Sequence, residues 1–347
     1  MNLTMESIME EHAEAQVWAE SFLKSVVSGR SLPPPTAEQL ASLPQWNWPW
    51  VLFLETLVAQ FVINWAIRIL LVTPIARAML RSRARRSEKV LPSTVDKFAQ
   101  SSMEFFWYGS YFVLGARIIL QQPWLWPSRQ WWMDQPNNRA ITQDVAFFYV
   151  IYASRYASGF ITVFLETRRK DFLEMVIHHS VTVILVYLSF QHGMVRVGCV
   201  IMVLLDIADI PLHAAKQCLY MAEAGPPATS TLSWNFFADM FFITFAIVFT
   251  ITRMGMYGYV TWSCFAELWL EFAPPGTPIT LETYREHVPL MVICCEWLVV
   301  VLQILQVFWF GLILKGALKL LGGGPIKDNR SDSESGLEDE DEPKKKR

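Results

Sequence analysis

Two stretches of the sequence, Asp171-Phe-Leu-Glu-Met-Val-Ile-His-His-Ser180 and Leu205-Asp-Ile-Ala-Asp-Ile-Pro-Leu-His213, decide how the chain is interpreted. Each lies in a run of about 20 mostly apolar residues, which is the length that crosses a bilayer as a helix. Ionisable side chains inside such a run are costly and by default mark a functional site. A short loop separates the two runs, so they are predicted to form antiparallel neighbouring helices that carry this site.

The composition predicts a membrane protein. Of the 347 residues, 53% are hydrophobic and 18% are charged, whereas roughly a quarter of the residues in a soluble domain are charged. The net charge of −3 excludes the strongly basic field of a nucleic-acid-binding protein. The five cysteines show no metal-ligand spacing and are interpreted as packing residues. The predicted fold class is an all-α polytopic membrane protein.

Seven apolar stretches are candidate membrane spans, and they lie near residues 50–73, 103–120, 145–165, 172–190, 195–215, 236–260 and 288–314. Lysine and arginine are concentrated after the first, third, fifth and seventh stretches and are sparse in the other loops. The positive-inside rule makes the basic loops cytosolic, with the N-terminus luminal and the C-terminus cytosolic. An odd number of spans agrees with termini on opposite sides.

The ionisable residues of the two central spans are predicted to lie at the same depth. His178 lies about 9 Å into its span from Phe172, and Asp209 lies about 10 Å from Lys216. Asp206 shares a helical face with Asp209. A carboxylate beside an imidazole supports acid–base or nucleophilic chemistry. Adjacent histidines point about 100° apart, so we expect one to act on the reacting atom and the other to hold substrate or packing contacts.

Other interpretations of these residues stay open at this point. Histidine–aspartate pairs can join two membrane helices by hydrogen bonds alone. His178, His179 and His213 with the two aspartates could bind iron or zinc, although six histidines fall short of the His-rich boxes of membrane oxygenases. A transporter would show broken helices in corresponding places, and no such pair is visible. Nucleotide-binding and serine-hydrolase motifs are not found.

The central region closely resembles the Lag1 motif of ceramide synthases, in the TLC-domain superfamily. The resembling segments run from Arg168 through the histidine pair, through Met194-Val-Arg-Val-Gly, and from Leu205 to Lys216. Flanking segments also resemble the family in the expected order: Lys97-Phe-Ala-Gln-Ser, Trp124-Leu-Trp-Pro, Thr252-Arg-Met-Gly and Arg330-Ser-Asp-Ser-Glu-Ser. The likeness covers residues 97–335.

The resemblance implies N-acylation of a sphingoid base by a fatty acyl-CoA, which gives (dihydro)ceramide and CoA. By position, His178 and His179 match the family's histidine pair, and Asp206 and Asp209 match its aspartates. It further implies that His178 accepts the acyl group, that the aspartates orient the imidazole and take the amine's proton, and that Trp309 lines the acyl chamber. No cofactor or metal is expected beyond acyl-CoA as co-substrate. The alternative is a non-catalytic TLC-domain protein that binds lipid or associates with the translocon.

Basic residues near the cytosolic face are candidates for binding substrate. Arg168, Arg169 and Lys170 precede the histidine span, and a basic loop covers residues 77–86. Because the phosphates of acyl-CoA cannot enter hydrocarbon, we expect these cations to attract them. Arg196, inside the resembling segment, is a further candidate for substrate binding.

The chain is predicted to consist of four parts. Residues 1–48 hold an amphipathic helix near 6–28 and a proline linker, and residues 49–96 hold the first span and its basic loop. Residues 97–320 form the TLC domain with the Lag1 motif at 168–216. Residues 321–347 form a disordered acidic tail with a basic, dilysine-like end, which suggests residence in the endoplasmic reticulum membrane. Membrane lipid and a homo- or hetero-dimer partner are expected, and the candidate phosphorylation sites are Ser331, Ser333 and Ser335.

Overall fold

The computed structural model describes residues 5–30, 48–84, 91–133, 141–166, 171–225 and 233–323. All regular secondary structure within these ranges is helical. In chain order the main helices are α1 (Met5–Ser28), α2 (Trp50–Arg83), α3 (Pro92–Ile119), α4 (Gln143–Leu165), α5 (Phe172–Gln191), α6 (Val195–Glu223), α7 (Trp234–Phe272), α8 (Leu281–His287) and α9 (Leu290–Leu321).

Helices α2, α4, α5, α7 and α9 are long and apolar enough to cross a membrane by length and composition. Helices α3 and α6 occupy the positions of the second and fifth predicted spans but are not among these five. Arg196, Asp206 and Asp209 lie within the apolar run of α6. The all-α membrane fold class is therefore confirmed, whereas the count of seven spans stays a prediction.

Helices α5 and α6 are joined by a tight turn and then diverge. Gly193 has a φ of 73°, a left-handed conformation that glycine adopts readily, and the Met194 amide donates to the Ser189 carbonyl at 2.7 Å. Helix α5 packs mainly against α4 and α9, whereas α6 packs mainly against α3 and α7. The two helices predicted to be close neighbours thus separate beyond their turn, and a chamber lies between them.

Two of the long helices contain a π-helical turn, at Arg68–Val72 in α2 and at Thr250–Met256 in α7. Such turns are often found at functional sites. Each of these turns carries an arginine that pairs with a carboxylate elsewhere in the bundle. Arg68 pairs with Glu166, the residue that follows α4, at 2.7 Å, and Arg253 pairs with Asp209 of α6. The π turns therefore direct two cations into the bundle.

Helix α1 packs on the bundle through one face. Trp18 and Phe22 are buried, and the Ser21 hydroxyl donates a hydrogen bond to the side chain of Gln143, the first residue of α4, at 2.9 Å. The helix predicted near residues 6–28 is therefore present as α1. Its apolar stripe contacts protein at the end of the bundle where α4 begins.

Several sequence predictions fall outside the described residues and stay predictions. They concern the proline linker at 32–36, the substrate-binding residues Arg168, Arg169 and Lys170, and the tail with Ser331, Ser333 and Ser335.

Candidate active site

A cavity of about 1000 Å³ runs through the bundle, lined by residues of α2 to α7 and α9. Along α9 its wall extends from Cys295 to Lys319, which is about 36 Å of helix. The hydrocarbon core of a bilayer is about 30 Å thick. The cavity is therefore long enough to hold an extended lipid chain.

The lining of the cavity is more charged at one end than at the other. Lys216, Lys315 and Lys319 lie at the first end, which we call the basic end, and Asp171 and Glu174 also line the cavity at the start of α5. Further along α5, α6 and α9, the lining becomes an apolar wall that consists of Leu185, Val186, Val197, Ile201, Val299 and Leu302. This arrangement suits a ligand with an anionic head and a long apolar tail.

His178 and His179 both line the cavity, with ring centroids 5.5 Å apart and ring planes at 69°. The ring of His178 packs edge to face with Trp309 of α9, at a centroid distance of 5.3 Å. Nδ1 of His178 is buried without a hydrogen-bond partner among the described residues, so Nε2 is the nitrogen open to the cavity. His179 turns toward α4, where a Cβ on Gly159 would lie 3.2 Å from its Cε1.

Asp206 lies in the cavity wall on α6 and is 2% exposed. Its Oδ2 accepts a hydrogen bond from the hydroxyl of Tyr152 on α4. From the sequence, this carboxylate was expected to orient an imidazole directly. In the described part of the chain its direct partner is the tyrosine instead, because α4 brings Tyr152 to this face of α6.

Asp209 also lines the cavity, and its direct partner is Arg253 from the π turn of α7. The same guanidinium donates to the Leu205 carbonyl at 2.7 Å and to Oε1 of Gln306 at 3.3 Å. Arg253 thus joins α6, α7 and α9 at the level of the candidate site. The sequence contains it within Thr252-Arg-Met-Gly, where the resemblance gives it no role.

Arg155 of α4 is a second buried cation at the cavity, and sequence reasoning missed it. It lies 3.5 Å from Glu104 of α3, and its guanidinium lies over the Tyr108 ring at 4.3 Å from the centroid. The signal was present in the sequence, since an arginine inside an apolar run is costly in a membrane. Arg155 and Arg253 therefore place positive charge on opposite flanks of α6.

Arg196, predicted to bind substrate, is not among the residues that line the cavity. It is buried in the first turn of α6, far from Lys216, and its guanidinium donates to the carbonyl of Gln130 at 2.8 Å. It holds the start of α6 against the segment between α3 and α4. The substrate-binding interpretation of Arg196 therefore finds no support in its position.

The metal-site alternative required His178, His179 and His213 to converge with the aspartates. Within the described ranges, no group of three or more histidine, cysteine or acidic side chains is arranged to hold a metal ion. His213 instead stacks on Tyr108, with ring centroids 5.6 Å apart. The observed geometry thus gives a metal site no support.

The chain is similar in sequence to a known domain family and to several known proteins. Residues 97–315 match the TLC domain. Ceramide synthase 5 of Homo sapiens is 33% identical over 261 residues, which cover 75% of this chain and 60% of that protein. Ceramide synthase 4 of Bos taurus is 32% identical over 252 residues, covering 72% and 58% respectively. Alternaria stem canker resistance protein 1 of Solanum lycopersicum is 28% identical over 250 residues, covering 70% and 75%.

The chain therefore spans 60% or less of the length of the two ceramide synthases. The domain match extends from the first turns of α3 to α9 and includes both histidines and both aspartates. It covers more than half of the chain, and this chain belongs to the TLC domain family.

Proposed function

We propose that the protein is an N-acyltransferase that moves a fatty acyl group from acyl-CoA to the amine of a sphingoid base, giving (dihydro)ceramide and CoA. One observation carries the proposal: the His178 imidazole opens into a long cavity that carries lysines at one end and a mostly apolar wall beyond the histidines. The relatives named ceramide synthase support the same reaction.

In the proposed reaction, Nε2 of His178 attacks the thioester carbonyl and the carbon–sulfur bond breaks. The CoA thiolate leaves at the basic end and takes a proton from water, and Nδ1 of His178 keeps its proton. The amine of the sphingoid base then attacks the acylated imidazole, and the bond between the carbonyl and Nε2 breaks. Asp206 takes the proton that the new amide nitrogen releases and returns it to water.

The proposed orientation follows from where acyl-CoA is found. Its charged head requires an aqueous entrance, and we assign this entrance to the basic end, where Lys315 and Lys319 are exposed. We place this end in the cytosol, in the endoplasmic reticulum membrane, with the N-terminus luminal and the C-terminus cytosolic. A dimer, homo- or hetero-, is compatible with this arrangement.

The reaction is tested with purified protein in lipid nanodiscs, supplied with hexadecanoyl-CoA and sphinganine. The expected product is N-acylated sphinganine, detected by mass spectrometry, together with free CoA. Absence of product while the protein retains bound lipid would favour the non-catalytic lipid-binding alternative.

Substituting Asp206→Asn is expected to lower kcat about a hundredfold, because the amide cannot accept the amine's proton. Asparagine keeps an oxygen for the hydrogen bond from Tyr152, so the fold should survive. Steady-state kinetics with both substrates measure the effect, and Asp239→Asn, on α7 and not in the cavity lining, is the control. A wild-type rate in Asp206→Asn would make this carboxylate structural.

Neutralising Lys315 and Lys319 to glutamine is expected to raise the KM for acyl-CoA about tenfold, because charged hydrogen bonds to the CoA phosphates are lost. The KM for sphinganine should stay unchanged. Lys24→Gln on the exposed face of α1 is the matched control. Neutralising Arg168, Arg169 and Lys170 is expected to act in the same direction. If the KM for acyl-CoA is unchanged in both the double lysine variant and the triple variant, the basic end does not bind CoA.

A further inference from the structure

Helices α2, α3 and α4 contribute polar side chains to the cavity that the proposed reaction has not used. We call them the polar wall, which consists of Gln60, Asn64, Gln100, Glu104, Arg155 and Glu166. Helix α2 precedes the matched residues 97–315, so part of this wall lies outside the TLC domain. Placing amide and carboxyl groups at membrane depth costs free energy, so we expect these groups to have a function.

The groups of the polar wall are held by other side chains of the protein. Nε1 of Trp107 donates to Asn64 at 2.8 Å, and Gln100 donates to Glu166, which also binds Arg68. Glu104 pairs with Arg155.

The Glu104 carboxylate lies 3.5 Å from Arg155, and 34% of the Glu104 side chain is exposed at the cavity. A carboxylate accepts up to about four hydrogen bonds. Because it is exposed there, the Glu104 carboxylate can be reached by a ligand in the cavity.

The chemistry of the wall fits the second substrate better than the first. The head of acyl-CoA is anionic and its tail is apolar, and the basic end and the apolar wall match these two parts. A sphingoid base carries an amine flanked by hydroxyl groups at one end of an alkyl chain, and these groups are hydrogen-bond donors. The side-chain oxygens of Glu104, Gln60 and Asn64 are acceptors.

The histidine pair connects the polar wall to the reacting atom. His178 packs against Trp309 on α9, whereas His179 lies against Gly159 on α4. Helix α4 also carries Arg155, which lies 3.5 Å from Glu104. An amine bound near Glu104 thus lies on the α4 side of the histidines, where it can approach an acyl group on His178.

We propose that the polar wall binds the polar head of the sphingoid base, with Glu104 accepting hydrogen bonds from its amine and hydroxyl groups. Arg155 holds the Glu104 carboxylate in place, and His179 separates this head from the acyl group until transfer. The assignment rests on the proposed acyl transfer and divides the chamber between the two substrates.

The test separates the two half-reactions in Glu104→Gln. Acylation of the protein is followed by intact mass after adding hexadecanoyl-CoA alone, and transfer is followed after adding sphinganine. The expected result is a KM for sphinganine raised about tenfold, since a charged acceptor is lost, with an acylation rate equal to wild type. Glu104→Asp should recover part of the loss. Glu55→Gln, an exposed carboxyl on α2, is the matched control and should change neither step.

A second acceptor tests the hydroxyl contacts. Octadecylamine has the amine and the chain but no hydroxyl groups, so the preference for sphinganine over octadecylamine should fall about tenfold in Glu104→Gln. An unchanged preference, or an equal loss in acylation and transfer, overturns the assignment of the polar wall. A wild-type protein that is not acylated and forms no product would instead overturn the proposed function.

Discussion

Replacing His178 with alanine should abolish product formation, by at least about a thousandfold, because the proposed covalent step then has no nucleophile. The protein should remain folded. Among the described residues His178 makes no side-chain hydrogen bond, so alanine leaves no buried partner unsatisfied. The edge-to-face contact with Trp309 is lost, which costs about 1 kcal/mol.

The measurement is intact mass of the protein after incubation with hexadecanoyl-CoA in the absence of sphinganine. Wild type should gain one acyl group and His178→Ala none. His179→Ala should still be acylated, because its imidazole faces α4 and not Trp309. His12→Ala on α1 should behave as wild type. Acylation or full turnover in His178→Ala would refute this nucleophile.

The positions of the helices could be predicted from apolar runs, whereas some of their ends could not. The span predicted at residues 172–190 is α5, Phe172–Gln191. The span predicted at 195–215 continues as a helix to Glu223, because Leu219 and Tyr220 are buried beyond Lys216. The span at 236–260 likewise extends to Phe272. A lysine marks where a segment meets water, but a helix can continue past that point when protein covers it.

The candidate site was predictable only in part for a similar reason. Depth along a helix follows from residue counts, so the histidine and aspartate pairs could be placed at one level, and they line one cavity. Rotation about the helix axis depends on contacts distant in sequence. The hydroxyl of Tyr152 and the guanidinium of Arg253 therefore appear only in the fold, as the groups that the aspartates bind.

Substituting Arg253→Met should lower the free energy of unfolding by about 3–5 kcal/mol, because it removes one partner of a buried ion pair and leaves the other charge uncompensated. Asp209 is 15% exposed in its side chain, so water cannot replace the guanidinium fully. The Leu205 carbonyl and the Gln306 side chain lose their donor as well. Unfolding monitored in detergent over a denaturant series measures the loss.

The matched control is the ion pair between Arg129 and Glu271, at 3.5 Å, in which the arginine is 53% exposed. Because exposed pairs contribute about 0–1 kcal/mol, Arg129→Met should change stability little. Replacing both members of the buried pair, in Arg253→Met with Asp209→Leu, should recover part of the loss, since no charge is left buried alone. Equal small losses in Arg253→Met and Arg129→Met would show that the pair between Arg253 and Asp209 contributes little to the stability of the contact between α6 and α7.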